Sequence, residues 1–222
     1  MTLLLRAIVA AADATVAADV GLRAVSGKSV AALASPWNGT SAASEAELVD
    51  HHRTIQAVFE RVPCLPARFG GVFADDGAIR ARLAERDSDF ASQLARLGHR
   101  CELAITCAWR DQGATPPVLV VPASTGRAYL ERGLERSRGE RKRGRRAKEI
   151  VARLLGELAV EPAFLRHRTC PRPAVAVSIS ALVTRDEIDE ITSRLERVGA
   201  QLPDVTIVVQ GPWAPYTFAV SE

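Results

Sequence analysis

Residues capable of nucleophilic, acid–base or metal chemistry are present in this sequence, but they are scattered. Cys64, Cys101, Cys107 and Cys170 include no C-x-x-C pair, and the four histidines have no metal-ligand spacing. The sequence also lacks G-x-G-x-x-G, a phosphate-binding lysine loop, G-x-S-x-G and H-E-x-x-H. We therefore predict no catalytic site, no metal site, no cofactor and no small-molecule substrate.

The highest local charge lies in a basic segment. Residues 131–149 contain nine Arg or Lys and four Glu, although the net charge of the whole chain is only +3. Such a cluster could neutralise phosphates, but no aromatic residue interrupts Arg141–Arg146 to stack on bases. We interpret it first as a solvated helix face and second as a surface for an acidic partner. A nucleic-acid-binding regulator acting through Arg141 to Lys148 is the alternative function, although nucleic acid is not the expected partner.

An aromatic segment near the C-terminus is the most unusual local composition. It reads Gly211-Pro212-Trp213-Ala214-Pro215-Tyr216-Thr217-Phe218. The prolines fix φ, so this segment is predicted to be semi-rigid and to hold its three rings in set positions. The rings could cover exposed core, or they could form a contact surface, since Trp and Tyr often anchor interfaces.

A second unusual segment reads Leu65-Pro66-Ala67-Arg68-Phe69-Gly70. Its proline and glycine predict a strand edge or a turn rather than the centre of a sheet. Arg68 either neutralises a buried carboxylate or presents its planar donors at a surface.

The elements around these segments predict a ferredoxin-like α+β unit over residues 1–110, an antiparallel sheet with helices on one face. A buried strand at 3–9 is followed by a hairpin at 21–34, in which Gly27 is expected to supply a positive φ. Ser44 and Glu47 form a capping box for a helix that places His52 on its apolar side and His51 towards water. Asp75 and Asp87 are predicted to cap two short helices, and alternation predicts a strand over 101–109.

A linker at 111–123 is predicted to lead into a second α+β unit, residues 124–222. Ser124 or Thr125 is expected to cap a long helix through Ala159, whose polar middle contains Gly133, Gly139 and Gly144. Strands at 164–170 and 175–181, a helix at 185–198 that ends at Gly199, and a strand at 205–210 follow. The sequence leaves open whether the two units are pseudo-repeats.

At 222 residues and 47% hydrophobic composition, the chain can bury a substantial core. Arg6, Asp13 and Asp19 interrupt the apolar N-terminal stretch, so we predict neither a signal peptide nor a membrane span, and a cytoplasmic location.

Three segments resemble motifs of the gas vesicle protein F and L family. The aromatic segment resembles Gly-Pro-Trp-Pro-Pro-Tyr-Ser-Phe, from which it departs at Ala214 and Thr217. Residues 65–70 resemble that family's Leu-Pro-x-Arg-Phe-Gly motif, and Gly126, Tyr129 and Leu130 match its Gly-x-x-Tyr-Leu helix start.

The resemblance implies a non-catalytic accessory protein of gas vesicle assembly that binds the small hydrophobic shell protein, with other accessory proteins as further partners. It also implies a location at the gas vesicle. The partner-binding residues expected from the two longer motifs are Leu65, Pro66, Arg68, Phe69, Gly70, Gly211, Pro212, Trp213, Pro215, Tyr216 and Phe218.

Overall fold

The structure is a computed structural model that describes residues 2–38, 44–110 and 126–219. The chain forms two compact units, Met1–Glu102 together with Pro212–Glu222, and Leu103–Gly211. Both units combine helices with a sheet in which the described strand pairings are antiparallel, so the predicted α+β class is confirmed. The predicted linker at 111–123 and the helix caps Ser124 and Thr125 lie outside the described residues.

Unit 1 has the element order of a ferredoxin-like fold. Its elements are β1 (Leu3–Ala10), α1 (Val16–Asp19), β2 (Arg23–Ser26), β3 (Val30–Pro36), α2 (Glu45–Phe59), β4 (Leu65–Pro66), β5 (Val72–Phe73) and α3 (Asp76–Leu97). The strands lie in the order β2-β3-β1-β4, and β5 also pairs with β1. Both faces of β1 are buried, as its nearly continuous apolar run predicts.

The β2–β3 hairpin forms as predicted, but the expected role of Gly27 is wrong. Gly27 has no positive φ. A Cβ at this position would lie 2.9 Å from the Val30 carbonyl oxygen and 3.3 Å from Leu83. Glycine is therefore required because α3 and the hairpin backbone approach closely, not because of the turn's dihedral angles.

Helix α2 begins at the predicted capping box, in which Glu47 N–H donates to the Ser44 hydroxyl at 3.3 Å. The predicted exposure of His51 to water is wrong. His51 is buried, with 4% of its surface exposed, whereas His52 is half-buried. His51 is buried because it bonds with Arg6 of β1 and with the Ala67 carbonyl after β4. The spacing of apolar residues along the helix does not reveal these polar partners.

One kinked helix, α3, replaces the two short helices predicted after Asp75 and Asp87. Asp75 caps it by accepting from Ala78 N–H at 2.9 Å, and the backbone departs from helical geometry at Arg86. The Asp87 carboxylate accepts instead from the backbone N–H groups of Ser29, at 2.8 Å, and Lys28, at 3.2 Å. Asp87 thus stabilises the β2–β3 turn, and these bonds hold the pKa of its carboxyl below the ordinary value.

Unit 2 is built from β6 (Cys101–Trp109), α4 (Gly126–Leu158), β7 (Leu165–Arg172), β8 (Val175–Val183), α5 (Ile188–Ala200) and β9 (Val205–Trp213). The division between the units falls within β6 and β9. Helix α5 continues through Gly199, and β9 extends three residues beyond the predicted end at Gln210.

The two units share one topology. Unit 2 has the strand order β7-β8-β6-β9, and unit 1 has β2-β3-β1-β4. When the strands of each unit are numbered along the chain, strands 2, 3, 1 and 4 are neighbours in that order in both sheets. In both units these strands are connected along the chain in the order β-α-β-β-α-β. This shared order supports the pseudo-repeat relation that the sequence left open.

Helix α4 packs only near its C-terminal end in the part whose side chains are described. Ala147, Ile150, Leu154 and Leu158 are buried, whereas Leu134 is 54% exposed. The exposed, glycine-containing middle of the helix agrees with the prediction from its polar composition. None of the helices, over the residues described, combines the length and the apolarity needed to cross a bilayer.

Candidate partner-binding site

The aromatic C-terminal segment folds onto unit 1. Residues 211–213 complete β9, and a compact turn follows, in which Phe218 N–H donates to the Pro215 carbonyl at 3.1 Å. Ala214 is fully buried and Phe218 is 2% exposed. Their burial explains why these residues belong to unit 1, whereas the sequence assigned them to the second unit.

A side-chain amide of α2 holds the start of this segment. Gln56 Nε2 donates to the Pro212 carbonyl oxygen at 3.1 Å, and Gln56 Oε1 accepts from Ala214 N–H at 3.4 Å. One side chain therefore satisfies a backbone acceptor and a backbone donor on opposite sides of Trp213.

Two further side chains hold the end of the segment. Glu102, only 6% exposed, accepts from Thr217 N–H at 2.8 Å and from the Thr217 hydroxyl. Arg96 donates to the Phe218 carbonyl oxygen at 3.0 Å. Threonine keeps the hydroxyl of the serine in the motif it resembles, so the departure at Thr217 preserves this contact with Glu102.

The three rings occupy different environments. Phe218 is a core residue. Trp213 and Tyr216 are half-buried and pack on His52, with ring centroids 5.1 Å and 6.0 Å from the imidazole. The Tyr216 hydroxyl lies 3.4 Å from His52 Nδ1, and burial raises the pKa of this phenol. Both interpretations of the aromatic segment therefore apply to part of it: Phe218 completes the core, and the other two rings reach the surface.

The segment 65–70 lies at the edge of the unit 1 sheet. Leu65 and Pro66 form β4, pair with β1 and are buried. Phe69 is half-buried, with its ring centroid 5.5 Å from Trp37 and 5.3 Å from His51. Gly70 has a φ of 96°, a conformation that favours glycine.

A polar cluster built on the buried side chains of Arg6 and His51 fixes this edge to α2. Arg6, 7% exposed, donates to Asp50 Oδ2 at 2.9 Å and to Ser35 Oγ at 3.0 Å, and its Nη1 lies 3.3 Å from His51 Nδ1. Because arginine can only donate, Nδ1 accepts, and the proton on Nε2 is donated to the Ala67 carbonyl at 2.9 Å. Burial is the main cause that lowers the pKa of His51, so the neutral imidazole is favoured.

Sequence reasoning missed Arg6 and considered a buried ion pair only for Arg68. Arg68 is exposed, whereas Arg6 is the arginine that reaches into the protein. The signal that could have identified Arg6 was its position inside β1, whose other residues are apolar.

The structure therefore joins the two predicted segments through successive residues of α2. His51 contacts Phe69, and His52 contacts Trp213 and Tyr216. Of the predicted partner-binding residues, Leu65, Pro66, Pro215 and Phe218 are buried, while Phe69, Pro212, Trp213 and Tyr216 are half-buried and Arg68, Gly70 and Gly211 are exposed. A contact surface on folded unit 1 is limited to its exposed and half-buried members, Arg68, Phe69, Gly70, Pro212, Trp213 and Tyr216.

The basic segment of α4 contributes to the packing of unit 2. Arg146 donates to both carboxylate oxygens of Asp204, at 2.7 Å and 3.0 Å, and to Glu149 at 3.2 Å. These bonds raise the pKa of Arg146 and lower that of Asp204. Arg146 is thus committed to an internal contact, whereas Arg141, Lys142 and Arg143 are exposed.

Two cysteines of the core, Cys64 and Cys107, are expected to be unreactive. Burial raises the pKa values of Cys64 and Cys107 to about 12, so both thiols stay protonated at neutral pH. The described ranges contain no group of three or more His, Cys, Asp or Glu residues that could hold a metal ion.

Comparison with known proteins identifies the class of this antiparallel α+β protein. Residues 7–220 match the family described as "Gas vesicle synthesis protein GvpL/GvpF". The chain belongs to this family of gas vesicle proteins.

Relatives carry both family names. The chain is 30% identical over 179 residues to gas vesicle protein L of Streptomyces sp. (strain CB03234), covering 76% of this chain and 67% of the relative. It is 26% identical over 182 residues to gas vesicle protein F of the same strain, covering 78% and 76%.

Solved structures agree on the fold. The crystal structure of GvpF from Anabaena sp. PCC7120 aligns with a TM-score of 0.77 at 15% identity, covering 100% of this chain and 97% of that chain. GvpF from Microcystis aeruginosa aligns with a TM-score of 0.72 at 16% identity, covering 99% of each. At these identities the likeness establishes the fold.

Proposed function

We propose that this protein acts in gas vesicle assembly by binding the small hydrophobic shell protein before it joins the vesicle wall. The family match over residues 7–220 carries the proposal. The location that follows is the cytosol and the growing vesicle, and the action is non-catalytic.

The physical need for such a partner is clear. A shell subunit with an apolar face and unpaired strands will aggregate unless another protein covers it. Strand β4 is terminal in the described sheet of unit 1, but Leu65 and Pro66 are buried, so the contact would lie on the exposed residues that follow, Arg68 and Gly70. Half-buried Phe69, Trp213 and Tyr216 would supply aromatic contacts around this edge.

Co-purification tests the proposal. Tagged protein is recovered from cells that express a gas vesicle cluster, at low and high salt and with nuclease treatment. Recovery of the shell protein, insensitive to nuclease, supports the proposed function. Recovery of nucleic acid without shell protein contradicts it and favours binding through Arg141 to Lys148.

Paired variants test the surface. Tyr216→Ala removes a half-buried ring, and we expect shell-protein binding to fall by about tenfold, as for an interface anchor. Tyr216→Phe keeps the ring and is expected to retain binding, while Phe218→Ala reports the effect of damage to the core alone. If Tyr216→Ala loses only as much binding as its loss of stability explains, these rings belong to the core and not to the contact surface.

A further inference from the structure

Helix α4 carries a straight stripe of side chains that face solvent. The stripe consists of Leu134, Arg138, Arg141, Arg145, Lys148, Ala152 and Leu155. Successive members are alternately four and three residues apart. This average spacing of about 3.5 residues is the repeat of the seam along which two helices pair. Leu155 is half-buried and the other six are exposed, so the stripe has the spacing of a pairing seam and is open to solvent.

The buried face of α4 lies on the other side of the helix. Ala147, Ile150, Leu154 and Leu158 are buried. At about 100° of rotation per residue, these four positions lie roughly opposite the stripe. The packing of α4 into unit 2 therefore accounts for one face of the helix and makes no use of the stripe.

Positive charge occupies the four central positions of the stripe, Arg138, Arg141, Arg145 and Lys148. Pairing with the same stripe of a second copy would place these cations against one another, so the charge excludes self-pairing. A helix with carboxylates at the same repeat would complement them. Leu134 and Leu155, at the two ends of the stripe, would add apolar contacts.

These four cations are available to carboxylates from outside the chain. Over the residues that the structure describes, Arg138 and Lys148 form no ion pair. Arg141 donates to the Ser137 carbonyl oxygen of its own helix at 3.3 Å and keeps its charge. Arg145 lies 3.9 Å from Glu149, but the two side chains are 78% and 53% exposed, so this contact neutralises little charge.

The row of cations is unfavourable for the helix itself. Each of the four lies three or four residues from the next. Like charges at these spacings repel each other on a helix. The other long helices use the same spacings for opposite charges, as in Arg86–Asp89 of α3 and Arg194–Glu190 of α5. Repulsion of this kind would be relieved by an anionic partner.

The stripe fits an acidic helix better than a nucleic acid. Its repeat is that of a facing α-helix. Leu134 and Leu155 would find no apolar partner on a phosphate backbone, and the stripe contains no aromatic residue to stack on bases. These features favour a protein partner.

We propose that this stripe is a docking site for an acidic helix of a partner protein, in which Glu or Asp occupies four consecutive positions of the same repeat. Apolar residues at the ends of that helix contact Leu134 and Leu155. The site goes beyond the proposed function, because it uses neither of the unit 1 segments and does not require the shell protein.

A designed peptide tests the site on the full chain. The probe is a helical peptide of about 22 residues, with leucine at the terminal seam positions and glutamate at the four central ones. We expect saturable binding that weakens as the salt concentration rises. A control peptide of the same composition, with its glutamates moved to the opposite face, should bind about tenfold more weakly. Equal binding of the two peptides, or no binding of either, would overturn the proposal.

Charge reversal locates the contact on the helix. Arg141→Glu is expected to weaken binding of the glutamate peptide by about tenfold or more. Arg143→Glu is the matched control, because Arg143 is also exposed but lies about 200° around the helix from Arg141. It should weaken binding by less than about threefold. Equal losses in the two variants would overturn the position of the site.

A compensating change separates this contact from a general loss of positive charge. A peptide with lysine at the facing seam position should bind Arg141→Glu more tightly than the glutamate peptide does, and no such recovery would count against the seam. Arg141→Glu removes repulsion along α4, so its melting temperature should stay level or rise. Arg141→Gln, expected to weaken binding several-fold, serves if the glutamate variant does not fold.

Duplex DNA tests the alternative partner. A duplex of about 20 base pairs should bind more weakly than the glutamate peptide at about 0.15 M salt. Tighter binding of DNA would overturn the proposal and favour nucleic-acid binding through α4. Recovery of shell protein from cells should be unchanged by Arg141→Glu. If the wild-type protein recovered no shell protein, the proposed function would fail while peptide binding would still support this site.

Discussion

His51 illustrates how a single side chain can connect a motif to the interior. Its Nδ1 accepts from Arg6, and its Nε2 donates to the carbonyl oxygen of Ala67, one residue before Arg68. The contact with Arg6 requires the neutral imidazole, because protonated Nδ1 would face a guanidinium, whereas Nε2 can donate to Ala67 in either state. Burial is the main cause that lowers the pKa of His51 from its ordinary value of 6.5.

The stability of the protein should consequently decline on mild acidification. The unfolded chain binds a proton on His51 near pH 6.5, and the folded chain binds it only at lower pH. The free energy of unfolding is thus unaffected by this group above pH 6.5 and falls as the pH drops from 6.5 to the folded pKa, below which both states bind the proton. Urea denaturation between pH 7.5 and 5.5 measures the slope, above the range in which most carboxylates titrate.

The variant His51→Gln isolates this effect. Glutamine keeps an amide N–H that can reach the Ala67 carbonyl but cannot take up a proton, so the pH slope should flatten. An unchanged slope would mean that another group causes the decline.

Gln56 provides a second prediction for a single residue. Gln56→Leu removes both hydrogen bonds to the backbone on either side of Trp213 and should destabilise the protein by about 1–3 kcal/mol. Chemical denaturation monitored by Trp fluorescence checks this loss. Arg53→Ala, an exposed position on the same helix, should change stability by less than about 0.5 kcal/mol.

At the scale of elements, periodicity predicted best those elements that bury one apolar face, such as α2 and α5. Strand β6, the capped start of α2 and the polar middle of α4 all follow from local patterns. The misassigned features depend on distant partners. Asp87 is at a helical kink but bonds a turn some 58 residues earlier in the chain, and His51 is buried by groups on other elements.

The candidate site was predictable to a similar degree. Both surface segments were identified from composition and resemblance, but their contact through α2 was not, because adjacent histidines with no metal-ligand spacing give no signal of it. Division of the aromatic segment into one core ring and two half-buried rings also required the structure. Alternating prolines and aromatics specify rigidity, not which way each ring points.

Glycines in different elements should respond oppositely to alanine. Gly27→Ala should destabilise the protein by about 1–3 kcal/mol, since its Cβ would overpack the hairpin against α3. Gly139→Ala should stabilise it by up to about 1 kcal/mol, because no atom lies within 4 Å of a Cβ there and alanine favours the helix. Thermal denaturation of both variants decides this, and a loss of stability in Gly139→Ala would show that the middle of α4 has a packing role.

At the scale of the whole molecule, unit 1 is discontinuous in sequence. Its first part ends at Glu102, and Pro212–Glu222 complete it after unit 2 has been formed by the intervening residues. The buried contribution of this second part includes Ala214 and Phe218. Unit 1 is therefore the unit that should suffer when the C-terminal segment is lost.

A chain shortened to end at Gly211 tests this dependence. Loss of buried Phe218 and of the bonds to Gln56 and Glu102 should destabilise unit 1 by about 3 kcal/mol or more. Hydrogen exchange should accelerate in α2, while α5 of unit 2 keeps its protection as an internal control. Equal acceleration in both helices would show that the units unfold as one.

The discontinuity of unit 1 also sets an order of events during synthesis. The elements from β1 through α3 are synthesised first, and unit 2 follows. The aromatic segment, which Gln56, Arg96 and Glu102 bind, is synthesised after unit 2. The first part of unit 1 therefore lacks the buried side chains of Ala214 and Phe218 while the residues of unit 2 are synthesised. Trp213 and Tyr216 reach His52 only after unit 2 has been synthesised, so the combined aromatic surface cannot form before the residues that follow unit 2 are made.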